Sequence, residues 1–240
     1  MTIPPASAPT PPRGDITARS SGLQRRRFLL AGAALSVAGC AENVMLSNAG
    51  KAAKNLVFGY PDLDVRREAI AKLPYASMAA RVGRGPEVML LLGRIDGAEQ
   101  HWISTDRSVL VTRAGRIVKT HGFPENLKGS RVDGADPVAL GLHRLSGPTS
   151  VVRSVDIDVG RHYGLLLDST FQTVGQETIS IFELEFNTVL VRERNVARHV
   201  NWSFENLSWV DTGDGYVWQS RQHIARTFAA VEAKILKPPG

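Results

Sequence analysis

Two hydrophobic periods divide the chain. After the turn Tyr60-Pro61-Asp62, Asp64 stands as a helix N-cap. Val65, Ala69, Ile70 and Leu73 then fall at helical spacing. Pro74 stops that helix, and Tyr75 to Ala80 reads as one more short helical turn. From Glu87 the period shortens to two. Val88 to Gly93 predicts a buried strand, Asp96-Gly97 a tight turn, and Gln100 to Ser104 a returning strand with Trp102 on it. Ser108–Thr112 and Arg116–Thr120 follow as strands around an Ala114-Gly115 turn. Their β-branched Val109, Val111, Ile117 and Val118 suit a pleated surface. Leu127 to Gly147 is rich in Gly, Asp and Pro and reads mainly as a connection, with a short helix starting at Asp136-Pro137.

A second block of strands begins near Thr149. Val151, Val155, Ile157 and Val159 interleave with Arg153, Ser154, Asp156 and Asp158, giving one apolar and one polar face. Thr178–Phe186, Thr188–Val196 and the aromatic stretch Trp202 to Trp209 continue the pattern. Thr212-Gly213-Asp214-Gly215 turns Leu207–Asp211 into Tyr216–Gln222. Ile224 to Leu236 is open between helix and strand. The expected fold is mainly β: an antiparallel meander sheet curled on itself into an open or partial barrel, with a few short helices. Residues 56–240 are expected to form this single domain.

The first 55 residues carry a different signal. Phe28 to Gly39 is uncharged and almost wholly small or apolar. At ~1.5 Å per residue it falls well short of a ~30 Å hydrocarbon core. Basic residues, a short apolar run and small residues before a cut site form the secretory pattern. Val37-Ala38-Gly39-Cys40 resembles a bacterial lipobox, with cleavage after Gly39 and acylation of Cys40. Arg25, Arg26, Phe28 and Leu29 resemble a twin-arginine export signal, although Gln24 and Leu30 depart from its usual residues. A Sec-type lipoprotein signal is the alternative. Residues 1–39 are thus expected to be removed, and 40–55 to serve as a lipidated tether. Membrane partnership would run through acyl chains on Cys40. Ala41 lacks the Asp that favours inner-membrane retention in some bacteria, so the outer membrane is preferred.

That reading changes what the charge means. Of 29 basic and 23 acidic residues, five arginines and Asp15 lie in residues 1–39, leaving 24 against 22. The high isoelectric point is therefore largely a property of the leader, not a nucleic-acid footprint. Cys40 is the single cysteine, so neither disulfides nor thiolate metal sites are available to the rest of the chain.

Candidate chemistry is sparse. The six histidines are scattered and none shows the H-E-x-x-H spacing of a zinc site, so no metal or cofactor is expected. No G-x-S-x-G elbow is present, and Gly83-Arg84-Gly85-Pro86 matches neither phosphate-binding loop and reads as a linker. Asp156 and Asp158 share a strand face, as a solvated pair or as acid–base partners in a cleft. Trp102, Arg107, Arg113, Arg116, Trp209, Trp218 and Arg221 have two readings. They stack on sugars and pair with acidic groups, or they fill sheet cores and blunt edges. Trp102, Arg116, Trp209 and Arg221 are the candidate polymer or partner contacts.

Tyr60-Pro61-Asp62, Tyr75-Ala76-Ser77-Met78, Trp102-Ile103-Ser104 and Thr112-Arg113-Ala114-Gly115-Arg116-Ile117 recur in a known pattern, with Trp209-Val210-Asp211-Thr212-Gly213 and Tyr216 to Gln222. Together they resemble the YjbF (group 4 capsule, GfcB-like) lipoproteins over most of the mature chain. The resemblance implies a curled antiparallel fold, a role in capsule or exopolysaccharide production and export, and no established catalytic residue. The expected function is a lipid-anchored, non-enzymatic accessory protein touching envelope export proteins or polymer. A periplasmic carrier is the alternative, and it requires a roomy apolar cavity for a lipid or other apolar ligand.

Overall fold

The computed structural model describes residues 63–240. A short helix, α1 (Arg67–Ala71), buries Ile70 and is capped at its C-terminal end by Lys237, whose Nζ donates to the Ala71 carbonyl at 3.1 Å. Its N-cap is Arg66 rather than Asp64, and no side chain caps it. Twelve strands then follow among the described residues. They are β1 (Ser77–Val82), β2 (Val88–Asp96), β3 (Glu99–Ser104), β4 (Val109–Arg113), β5 (Arg116–His121), β6 (Leu127–Val132), β7 (Thr149–Ile157), β8 (His162–Ile181), β9 (Leu184–Ala197), β10 (Ser203–Asp211), β11 (Val217–Gln222) and β12 (Val231–Lys237). A second helix, α2 (Pro137–Leu140), and a 3₁₀ turn (Leu142–Arg144) lie between β6 and β7.

Every strand pairs antiparallel with its chain neighbour except at one place, and β1 pairs with β12 to join first strand to last. The exception is β5 and β6, the two ends of the sheet, which lie side by side without a backbone ladder. The result is an up-and-down barrel, nearly closed, with one seam. Closure removes most exposed strand edges, the usual liability of a β protein. Side chains bridge the seam. Thr120 Oγ1 accepts from the Leu127 amide at 3.0 Å, and Arg116 reaches Asp136 at 3.0 Å. Asp136 in turn caps α2 by accepting from the Val138 amide at 3.0 Å.

Several local expectations differ from this structure. Residues 77–80 form strand rather than helix, because β1 is needed between β2 and β12 and tertiary pairing overrides local preference. Residues Gly83 to Pro86 are the β1–β2 turn. β2 is only partly buried: Leu90 lies in the core while Val88 is 43% exposed. Residues 127–132 are strand β6, not connection, and β12 settles the open C-terminal segment as strand. Thr178–Phe186 spans a hairpin, with its turn at Phe182-Glu183 between β8 and β9. On β7, Arg153 points inward with Val155 and Ile157, so the inner face is not wholly apolar.

The interior is layered. Trp102, Leu90, Leu110, Ile117, Leu167, Phe204 and Ile224 belong to one large apolar cluster, joined by the β11–β12 connection through Ala225 and Phe228. A smaller cluster unites Val138 and Leu142 of the β6–β7 connection with inward-facing Phe171, Val191 and Val210. Polar side chains occupy the barrel between these clusters: Arg116, Arg153, Glu193, Asn195 and Asn206 are all buried.

Candidate functional site

The β6–β7 connection folds into one mouth of the barrel and fills part of it. Val138 and Leu142 supply the apolar contact, and His143 packs against the β10–β11 turn. A Cβ placed on Gly215 would lie 2.0 Å from His143 Nδ1, and Gly215 has φ +81°, so this position requires glycine twice over. At the opposite side of the turn Gly115 abuts Val217, with a Cβ there 2.4 Å from the Val217 Cβ.

Beside this plug the mouth stays open as a pocket of about 280 Å³. Met78 of β1, Ala233 and Ile235 of β12, Thr112 of β4, Gln100 of β3 and Ser220 of β11 line it, along with the 214–218 turn. Strand alternation brings these side chains together, because each lies in phase with a core residue of its own strand. A bulge opposite Trp209/Val210 shifts the β11 register. It turns both Val217 and Trp218 toward the interior clusters.

The aromatic wall is held from several sides. Trp218 Nε1 donates to Asp211 Oδ2 at 3.0 Å, its ring lies 4.1 Å from that of Phe186, and Tyr216 meets it edge-on at 4.9 Å. Phe186 comes from the far end of β9, where the β8–β9 hairpin leans toward β12. The Tyr216 amide donates to Asp214 Oδ1 at 2.8 Å. Burial, with the nearby Asp214 charge, pushes the Tyr216 hydroxyl up to about 12, so it stays protonated at any ordinary pH. Among the described residues neither that hydroxyl nor the Gln100 Nε2 makes a hydrogen bond; the Gln100 Oε1 accepts from Thr112 at 3.4 Å. The lining includes one acid, Asp214, and no Lys, Arg or His.

Below the mouth, the buried polar layer is a neutral ionic network. Arg116 bonds Asp136 at 3.0 Å and Glu193 at 3.1 Å, and its guanidinium sits 5.5 Å from the Phe171 ring centre. Arg153 lies 3.7 Å from the same Glu193 oxygen and donates to Asn195 Oδ1 at 3.0 Å. Asn206 donates to the other Glu193 oxygen at 2.8 Å. Burial alone would raise the Glu193 carboxyl, but the Arg153 and Arg116 charges outweigh it and hold the group below its ordinary value. Two guanidiniums thus meet two carboxylates, and Glu193 stays ionised. The geometry braces the barrel, because every charge in it is already engaged.

Residues 50–236 match the family described as group 4 capsule polysaccharide lipoprotein gfcB, YjbF. The chain belongs to that family. It is 31% identical to the uncharacterized lipoprotein GfcB of Escherichia coli K12 over 183 residues, which cover 76% of this chain and 85% of that protein. The uncharacterized lipoprotein YjbF of the same strain is 25% identical over 183 residues, covering 75% and 84%. The crystal structure of the hypothetical lipoprotein YmcC from Escherichia coli K12 superposes with a TM-score of 0.67 at 29% identity, over 73% of this chain and 90% of that one.

Within this family frame, the four candidate contacts separate. Trp102 is fully buried and donates from Nε1 to Thr112 Oγ1 at 2.9 Å, so it presents nothing to a polymer. Arg116 is committed to the ionic network. Trp209 is half-buried on β10, and Arg221 is exposed on β11, 3.6 Å from Glu232. None of the four lines the pocket. Asp156 and Asp158 do not share a strand face, because β7 ends at Ile157 and Asp158 caps the 3₁₀ turn that follows. Asp156 accepts from the Gly164 amide at 2.7 Å, and Asp158 accepts from the Asn126 and Val159 amides at 2.7 and 2.8 Å. Both carboxylates shape turns. Cys40, Arg25, Arg26, Phe28, Leu29, Val37, Ala38, Gly39 and the 40–55 tether lie outside the described residues. Among the described residues no cluster of His, Cys, Asp and Glu could hold a metal, and no helix is long and apolar enough to cross a membrane.

No sequence motif marks Gln100, Thr112 and Tyr216 as pocket residues. Gln100 and Thr112 face each other across β3 and β4, a register that the turn at 105–108 sets. Alternation from the buried Trp102 would have placed Gln100 inward. Tyr216 carries no such signal, because only the turn geometry aims it at the mouth.

Proposed function

We propose that this protein is a lipid-anchored, non-enzymatic accessory of capsule or exopolysaccharide production and export in the bacterial envelope. Residues 1–39 direct export by the twin-arginine route and are removed. Acyl chains on Cys40 hold the remainder at the outer membrane, and the barrel meets polymer or export proteins. Membership of the capsule lipoprotein family over residues 50–236 is the observation that carries this reading.

The filled interior favours this role over that of an apolar carrier. Lipid carriage calls for a wide apolar lumen. Here Trp102, Phe171 and Phe204 fill the ends, and the Arg116–Glu193 network crosses between them. The pocket at the mouth mixes amide, hydroxyl and aromatic groups.

A deletion strain tests the proposal. Surface polymer should fall, return with the wild-type gene, and fail to return with Cys40→Ala. Normal polymer in the deletion strain overturns it.

A further inference from the structure

We infer that the barrel-mouth pocket binds an uncharged sugar residue; the inference rests on the polysaccharide role proposed above and names the ligand class of that pocket. Four observations converge. The pocket holds about 280 Å³, at the small end of ligand sites, which suits one or two sugar rings and not an extended acyl chain. Its walls are divided: Met78, Ile235 and Trp218 are apolar, while Gln100, Thr112, Ser220 and Tyr216 carry hydrogen-bonding groups. A pyranose has the same division, with C–H faces for apolar and aromatic surface and hydroxyls at its rim.

The polar groups are also in the right state. The Tyr216 hydroxyl is held protonated by burial, and both it and the Gln100 amide nitrogen have donors that no described residue accepts. The ring that carries the hydroxyl is fixed against Trp218, itself tied to Asp211 and Phe186, so little ordering is needed on binding.

Charge excludes the acidic alternatives. No cation lines the pocket, and Asp214 adds a negative charge at its rim. A uronate or a phosphate placed there would be desolvated with no cationic partner and repelled by Asp214. The arginines that could have answered such a group are elsewhere: Arg116 and Arg153 are neutralised in the interior.

Titration calorimetry on the full-length protein in detergent micelles tests this, with three probes of equal length. These are maltotriose, the trimer of N-acetylglucosamine, and trigalacturonate. At least one neutral trimer should bind, and trigalacturonate should bind at least about tenfold more weakly, a difference of ~1.4 kcal/mol. Tyr216→Phe keeps the ring and removes only the hydroxyl; it should weaken the neutral trimer by about tenfold while the melting temperature holds. Gln100→Ala should do the same by removing the amide donor. The proposal is overturned if neither neutral trimer binds, if trigalacturonate binds as well, or if both variants bind like the wild type. The outcomes separate from those of the deletion strain. Polymer lost on deletion without sugar binding leaves the accessory role acting through proteins. Sugar binding with normal polymer removes that role and keeps the pocket.

Discussion

Nη2 of Arg116 on β5 donates to Oε1 of Glu193 on β9 at 3.1 Å, linking residues 77 apart in sequence across the inside of the barrel. Glu193 also faces Arg153 and Asn206, so a single carboxylate answers groups from β5, β7 and β10. Removing one member of a buried pair leaves the others charged and desolvated, which costs about 3–5 kcal/mol. Glu193→Ala should therefore lower the urea-unfolding free energy by that amount. A loss below about 1 kcal/mol, the range of an exposed pair, would show that water reaches the layer.

Acid should weaken the fold through carboxylates of the same kind nearer the surface. Burial raises the Asp158 carboxyl, but hydrogen bonds from Asn126 and Val159 and the Lys128 charge hold it below its ordinary value. A folded-state value below the unfolded one means that stability is present above the unfolded value, ~3.9 for Asp. It is lost as pH falls through the folded value. The urea midpoint of the wild type should accordingly fall below about pH 5. Asp158→Asn should start less stable at pH 7 and decline less steeply, so the two curves converge in acid. Parallel curves would remove Asp158 from the acid response.

The plug in the barrel mouth makes a separate prediction through Gly215. Its missing Cβ is what admits the His143 ring, and its φ of +81° is unfavourable for any L side chain. Gly215→Ala should cost roughly 1–3 kcal/mol from overpacking, beyond the backbone term. In a His143→Ala background the overpacking part should vanish, leaving only the backbone part. A double-mutant cycle reads that coupling directly, and additive effects would place His143 away from the turn in solution.

What the sequence made legible follows from which interactions are local. The meander was visible because each hairpin, such as β4–β5 around Ala114-Gly115, announces itself through neighbouring residues: both turn residues have positive φ, as a tight hairpin requires. Strand β6 was not visible, since Leu127-Lys128-Gly129-Ser130-Arg131-Val132 alternates weakly and its backbone ladder is with β7 alone. The candidate contacts Trp102 and Arg116 erred for one shared reason. Residue type does not reveal whether a Trp or Arg faces the lumen, and partners such as Thr112, Asp136 and Glu193 become evident only when the barrel closes. The pocket was equally hidden, because Gln100, Tyr216 and Ile235 meet only once β1 and β12 pair.

Under the proposed anchoring, retention at the membrane runs through acyl chains on Cys40. One acyl chain gives marginal binding, whereas several give a stable anchor. Cys40→Ala should then leave the protein exported but move it from the membrane fraction to the soluble periplasmic fraction. Replacing Arg25 and Arg26 together by Lys should act one step earlier, trapping precursor that still carries residues 1–39 inside the cell, because Lys keeps the charge but not the guanidinium fork. Unchanged export of the Lys-Lys variant would assign the leader to the Sec route, and membrane retention of Cys40→Ala would assign the anchor to a protein partner of the barrel.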